Sequence, residues 1–138
     1  MNRWKLFGRF HTALYQLTGG RFGHHVPDGR AVLLLTTRGR KSGRLRTSPL
    51  VYMPLEGSWL VAASNGGAEQ PPAWWLNLLA NAEASIRVGP ETIAVRARRA
   101  SNEEEAALWP RACEYNDHWA GYRERCQREI PLVVLERP

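Results

Sequence analysis

The sequence predicts one α+β domain built on a small, strongly curled antiparallel sheet. Three observations carry this. Short apolar runs follow one another in hairpin order, joined by turns rich in glycine and proline. Two stretches, Ala84–Val88 and Ile93–Arg98, alternate apolar and polar residues with the period of a half-wet strand. Helical patterns are inserted among the strands without the regular alternation of a doubly wound parallel fold. A chain of 138 residues is one domain by default, and 43% hydrophobic residues suffice for a core.

Taken in order, residues 2–18 read as an amphipathic helix. Trp4, Phe7, Phe10, Leu14 and Leu17 recur at spacings of three and four, Arg3, Lys5 and Arg9 add positive charge, and Gly19-Gly20 ends the pattern. Such a helix suits docking on the domain or lying on an anionic membrane surface. Residues 19–29 are a connector, so residues 1–29 precede a domain of residues 30–138. His24 and His25 are adjacent and lack a third ligand at useful spacing, so no metal site is expected. Ala31–Thr36 is an apolar strand buried on both faces. Ser48–Pro54 is a second strand, Glu56-Gly57-Ser58 a turn and Trp59–Ala63 a third strand, paired with the second as a hairpin. Ser64-Asn65-Gly66-Gly67-Ala68 is a small-residue loop where backbone can approach a ligand. Pro71 and Pro72 open a short helix through Leu79. The alternating stretches form a second hairpin around Gly89-Pro90. Ser101-Asn102-Glu103-Glu104 is a capping box that starts a helix, and Pro110 should interrupt or restart it. Leu108, Ala112, Tyr115, Trp119, Tyr122 and Cys126 would share one face if the helix continued. Ile130–Leu135 closes the chain as a strand, for about six strands in all.

The stretch Thr36–Pro49 is the strongest chemical signal. Arg38, Arg40, Lys41, Arg44 and Arg46 crowd between two apolar runs, with two glycines and several hydroxyls. Guanidiniums, an ammonium and backbone N–H groups on one loop are suited to phosphate or carboxylate groups. The formal net charge of +6 and pI near 10.0 likewise imply an acidic partner. The cations gather at one loop instead of lining a face, which argues against a specific nucleic-acid partner. No run is long and apolar enough to span a bilayer, and the first residues lack the apolar core of a secretory signal. Cys113 and Cys126 fit neither a disulfide framework nor a zinc site and read as free thiols of a reducing cytoplasm. There is no Walker A spacing around Lys41-Ser42, no Gly-x-Ser-x-Gly elbow and no His-Glu-x-x-His motif. A hydrolase has little support. Six tryptophans beside a basic loop suit a flat conjugated ligand with an anionic tail.

Four separated blocks resemble the deazaflavin-dependent nitroreductase family. They are Leu33–Gly43 with Arg46 and Pro49-Leu50, then Ala63–Ala68, then Trp74–Leu78, and finally Ile130–Val134. The resemblance implies a split β-barrel similar to the FMN-binding fold, and an oxidoreductase that uses coenzyme F420 to reduce quinones or nitro compounds. F420 carries a polyanionic tail of a phosphodiester and glutamates, which makes it a better match than FMN. The resemblance assigns Arg38, Arg40, Lys41, Ser42, Gly43, Arg46, Ser48 and Pro49 to the cofactor's tail side. It assigns Ser64, Asn65, Gly66, Gly67, Ala73 and Trp74 to its ring. Trp119, Asn116 and Tyr122 would line the acceptor, with Tyr122 and Ser64 as hydrogen-bond donors to it. Relatives that activate nitroimidazoles tend to carry tyrosines where Asn116 and Trp119 stand. The free thiols imply a cytoplasmic protein, peripheral on the inner membrane face if residues 2–18 bind lipid, and split barrels suggest a homodimer by analogy. The competing expectations are a non-catalytic deazaflavin, FMN or haem carrier and a nucleic-acid binder.

Overall fold

The computed structural model describes residues 31–138. The expected N-terminal helix and connector lie outside the described residues. Seven strands form a single antiparallel sheet among the described residues: β1 Val32–Arg38, β2 Leu45–Val51, β3 Met53–Leu55, β4 Ser58–Ala62, β5 Glu83–Val88, β6 Glu91–Arg99 and β7 Leu132–Glu136, in the order β2-β1-β5-β6-β7-β4-β3. Among the described residues three α-helices are inserted, α1 Ala73–Ala80, α2 Asn102–Tyr115 and α3 Asp117–Arg125, with a single 3-10 turn at Asn65–Gly67.

The expected second strand, Ser48–Pro54, is two strands that sit at opposite edges of the sheet. β2 pairs with β1 and β3 pairs with β4, with only Tyr52 between them. Joining both edges through one residue forces the sheet to curl until they meet. The Tyr52 N–H reaches back to the Ala31 carbonyl at 3.1 Å. The inward-outward alternation passes through Tyr52 unbroken: Leu50 and Tyr52 pack with one apolar cluster, Val51 and Met53 with the other. This is the split β-barrel expected from the resemblance.

Register divides the core into two layers. Leu33, Leu35, Ile86, Ile93, Val95, Ala97, Val133, Leu135 and Val61 share the inner face, and α1 plugs it with Trp74, Trp75 and Leu78. The outer face of β3, β4 and β7 offers Met53, Leu60, Ala62, Leu132 and Val134. It is covered by Leu108, Trp109, Ala112, Trp119 and Cys126 from α2, α3 and the chain just beyond. The alternation expected in β6 holds, with Ile93, Val95 and Ala97 buried and Arg96 and Arg98 exposed.

The capping box forms as expected. The Ser101 hydroxyl accepts from the Glu104 N–H at 3.2 Å, and the Glu104 carboxylate accepts from the Ser101 N–H at 2.9 Å. Pro110 does not break α2, which runs through to Tyr115. Pro110 and Ala106, whose carbonyl loses its helical partner, are both exposed, which leaves that oxygen open to solvent. The break comes at Asn116, yet the expected seam from Leu108 to Cys126 still packs as one cluster. No helix of the described residues is long and apolar enough to cross a membrane.

Arg98 ties this helix start to the barrel. Its guanidinium donates to Glu104 at 2.6 and 2.9 Å and to Glu136 on β7 at 2.8 Å. The Arg98 hydrogen bond, and next the Ser101 N–H, lower the Glu104 pKa from 4.5 to about 2. A depressed carboxyl pKa stabilises the fold above the unfolded value and loses that contribution as pH falls through the folded one. The urea midpoint of the unaltered protein should therefore exceed that of Glu104→Gln near neutral pH, and the gap should close as pH falls from 4.5 to about 2. A gap independent of pH would contradict the assignment.

Candidate active site

Strand direction gathers the candidate residues at one end of the barrel. Every pairing is antiparallel, so with the order β1-β5-β6-β7-β4 the strands β1, β6 and β4 run one way and β5 and β7 the other. The basic hairpin after β1, the loop after β4, α1, and the α2–α3 excursion between β6 and β7 therefore all connect at the same end. At the opposite end, the strand connections among the described residues are tight turns, at Glu56-Gly57 and Gly89-Pro90.

The basic hairpin is built tightly. Gly39 N–H donates to the Arg44 carbonyl at 2.7 Å, Gly43 N–H to the Gly39 carbonyl at 2.8 Å, and Arg44 N–H to the Ser42 hydroxyl at 3.1 Å. A Cβ on Gly39 would lie 2.9 Å from the Ser42 hydroxyl and 3.1 Å from the Arg44 carbonyl, so the turn has no room for one. Arg38 Nη1 donates to the Gly43 carbonyl at 2.7 Å. Arg40 donates through both its backbone N–H (3.1 Å) and Nη1 (3.0 Å) to the Asn77 side-chain oxygen. Most of the loop's N–H groups are thus committed within the fold. Lys41, Arg44 and Arg46 have exposed side chains with no protein partner among the described residues. Arg46 pairs across from Thr37, and Ser48 from Leu35, which puts both on the strand face that α1 covers. Pro49 lies opposite Leu34 on the edge strand, where its missing N–H breaks no ladder bond.

The second loop begins at Ser64, which is 7% exposed and follows the buried Ala63. Asn65 takes a left-handed conformation (φ 46°) and its side-chain amide donates to the Gln70 carbonyl at 3.0 Å. Gly66 is exposed, and Gly67 adopts φ 85°. A Cβ on Gly67 would lie 3.3 Å from the Tyr122 Cα, so this glycine lets the loop touch α3 directly. Ala73 is exposed at the start of α1, while Trp74 is buried in the cluster that contains Ala63.

The late-helix residues separate into two roles. Tyr122 is half-buried against Gly67, with the His118 ring at 6.2 Å and the Arg125 guanidinium at 5.4 Å. Trp119 is 5% exposed within the outer core layer, with the Tyr115 ring 6.5 Å away. Asn116 is 2% exposed, and its side-chain oxygen caps α3 by accepting from the His118 N–H at 3.1 Å. The structure therefore brings the Ser64–Gly67 loop to Tyr122, and buries Trp119 and Asn116 inside the protein. Among the described residues no cluster of three or more His, Cys, Asp or Glu could hold a metal ion.

Two residues that sequence reasoning passed over hold these loops. Asn77, 4% exposed on α1, donates to the Thr37 hydroxyl at 3.1 Å while accepting from Arg40, and so locks the basic hairpin to the helix. Its signal was present: one amide inside the apolar run Trp74–Leu79. Arg128 donates to the carbonyls of Ser64 (3.0 Å), Ala68 (3.1 Å) and Gln70 (3.3 Å). The sequence gives no sign of this, because Gln127-Arg128-Glu129 reads as a solvated connection.

Comparison with known proteins shows the family and the fold. An F420H(2)-dependent quinone reductase of Mycobacterium tuberculosis (strain H37Rv) is 39% identical over 132 residues, covering 94% of this chain and 89% of the relative. A solved F420-H2 dependent reductase, FDR-A, superposes with a TM-score of 0.69 at 33% identity, covering 76% of this chain and 93% of that one. A further solved chain, described as a domain-swapped dimer, superposes with a TM-score of 0.73 at 33% identity over 93% of this chain and 96% of its own. The F420H(2)-dependent quinone reductase family matches residues 6–137, and the chain belongs to that family.

Proposed function

We propose that the chain is an F420H2-dependent oxidoreductase that transfers a hydride from reduced deazaflavin to a quinone, with nitro compounds as further acceptors. The observation that carries this reading is the placement, at one barrel end, of a hairpin with five basic side chains and a small-residue loop in contact with Tyr122. The residues present fit the cofactor. Lys41, Arg44 and Arg46 are free to meet a polyanionic tail, and Ser42 and Gly43 form the exposed tip between them. Arg38 and Arg40 brace the hairpin and keep their remaining guanidinium donors for the same tail. Ser48 and Pro49 form the strand wall beneath it. Ala73 and Trp74 at the start of α1, with Ser64, Asn65, Gly66 and Gly67, border the ring.

Bound deazaflavin supplies a hydride and is poorly suited to one-electron chemistry. The protein needs no nucleophile. It holds donor and acceptor carbons in near-attack geometry and keeps bulk water out. Reducing a quinone to its hydroquinone takes a hydride and a proton, so an O–H donor must face the acceptor oxygen. Tyr122, which touches Gly67, and Ser64, which opens the same loop, are the hydroxyls we assign to this role. Their hydrogen bonds stabilise the developing oxyanion, and the proton is replaced from water. Trp119 backs the acceptor wall from within the core, and Asn116 acts there by fixing the first turn of α3. The same proposal includes a cytoplasmic protein whose residues 2–18 rest on the anionic inner membrane face, giving access to lipid-soluble quinones. It also includes a homodimer.

The direct test is a fluorescence titration with oxidised F420 and, in parallel, FMN, followed by reduced F420 with a menaquinone analogue. Tight F420 binding, weak FMN binding and acceptor-dependent oxidation are expected. Tight binding without turnover across several quinones would make the protein a carrier, and no binding would refute the reading. Lys41→Ala should weaken F420 binding by about threefold to tenfold at low salt, with the difference shrinking as salt is raised. Unchanged affinity would remove Lys41 from the site. Tyr122→Phe should lower quinone turnover by about a hundredfold at saturating cofactor while leaving F420 affinity unaltered, the scale of a lost proton donor. Equal turnover would assign the proton delivery to Ser64 or water.

A further inference from the structure

Arg128 has an unusual set of partners. Its Nε donates to the Ala68 carbonyl at 3.1 Å, its Nη2 to the carbonyls of Ser64 at 3.0 Å and Gln70 at 3.3 Å, and its Nη1 to the Glu129 carbonyl at 3.1 Å. All are main-chain oxygens, and no carboxylate pairs with it among the described residues. The guanidinium is therefore a template for backbone placement. Its neighbours reinforce it: the Cys126 thiol lies 3.5 Å from the Ala68 carbonyl, and the Gln127 N–H donates to the Glu69 carboxylate at 3.3 Å. On the other side of the loop, Gly67 abuts the Tyr122 backbone. Residues 64–70 are thus fastened from both sides to the α3–β7 segment, which carries Tyr122.

We infer that Arg128 is a positioning residue: by fixing the carbonyls of Ser64, Ala68 and Gln70 it sets the separation between the cofactor ring bordered by Ser64–Gly67 and the acceptor held by Tyr122. This rests on the deazaflavin-dependent reading above. Hydride transfer depends steeply on donor–acceptor distance, and a displacement of about 1 Å costs on the order of a hundredfold in rate. Lysine cannot substitute, because one ammonium on a flexible stem does not span three carbonyls that a planar five-donor fork reaches together. The tail is held elsewhere, by the basic hairpin that Asn77 anchors, so loss of Arg128 separates turnover from affinity.

The test compares the unaltered protein with Arg128→Lys and Arg128→Ala. Three quantities are measured: F420 affinity by fluorescence, turnover of reduced F420 with menadione at cofactor saturation, and the thermal midpoint. The expected result is affinity within about threefold of the unaltered protein and kcat lower by about tenfold to a hundredfold in both variants. Millimolar guanidinium chloride should partly restore the kcat of Arg128→Ala, whereas ammonium chloride at equal ionic strength should not. Unchanged kcat in both variants would overturn the inference. So would a loss of kcat that tracks loss of fold and is not rescued, since Arg128 would then act on stability alone. If the unaltered protein itself fails to bind F420, the functional reading falls and this inference falls with it. Binding by the unaltered protein together with fully active variants refutes the inference and leaves the functional reading standing.

Discussion

The structure depends on one length of chain belonging to both edges of its sheet. Leu45–Val51 pairs with β1 and Met53–Leu55 pairs with β4, and the single residue between them cannot span an open sheet. The sheet must close, and closure fixes the rest. It creates an inner face that excludes water and is filled by the aromatic side chains of α1. It leaves an outer face on β3, β4 and β7 that only a second helical layer can cover. Strict antiparallel order then puts every long connection at one end.

At that end, two polar anchors convert loops into fixed walls. Asn77 is a buried amide satisfied on both sides, by the Thr37 hydroxyl and by Arg40. Arg128 does the same for the opposite loop through main-chain carbonyls. Buried and half-buried polar groups that are fully satisfied specify one arrangement, because each alternative leaves a group unpaired. A hydride transferase needs this kind of rigidity more than it needs a reactive side chain. That accounts for a sequence with no recognisable nucleophile, metal site or acid–base set beside a dense cluster of cations.

Much of this was legible in the sequence because it follows from local rules. The basic hairpin, the alternation of β5 and β6, the capping box at Ser101 and the small-residue loop at Ser64 depend on neighbouring residues alone. What escaped depends on partners distant in the chain. Nothing near Tyr52 shows that the strand changes partners there, since the alternation continues through it. Pro110 reads as a break, and only the exposure of Ala106 explains why the helix tolerates it. Asn116 and Trp119 read as acceptor-facing by position along the chain, but the end of α2 at Tyr115 turns Asn116 into a cap and Trp119 into core. Arg128 could not be distinguished from a solvated arginine, because its three carbonyl partners lie about sixty residues earlier.

On the proposed reading, charge and shape divide the labour of recognition: exposed cations would attract the anionic tail over a range set by salt, and the Ser64–Gly67 loop and Tyr122 would act only at contact distance. The claim that joins them is that tail and ring bind at the same end of the barrel. The most direct test is the crystal structure of the complex with oxidised F420. Density for the tail should lie against Lys41, Arg44 and Arg46, and the ring should lie between Ser64–Gly67 and Tyr122. A ring bound at the far end, beside the turns at Glu56 and Gly89, or a tail clear of the basic hairpin, would contradict the account.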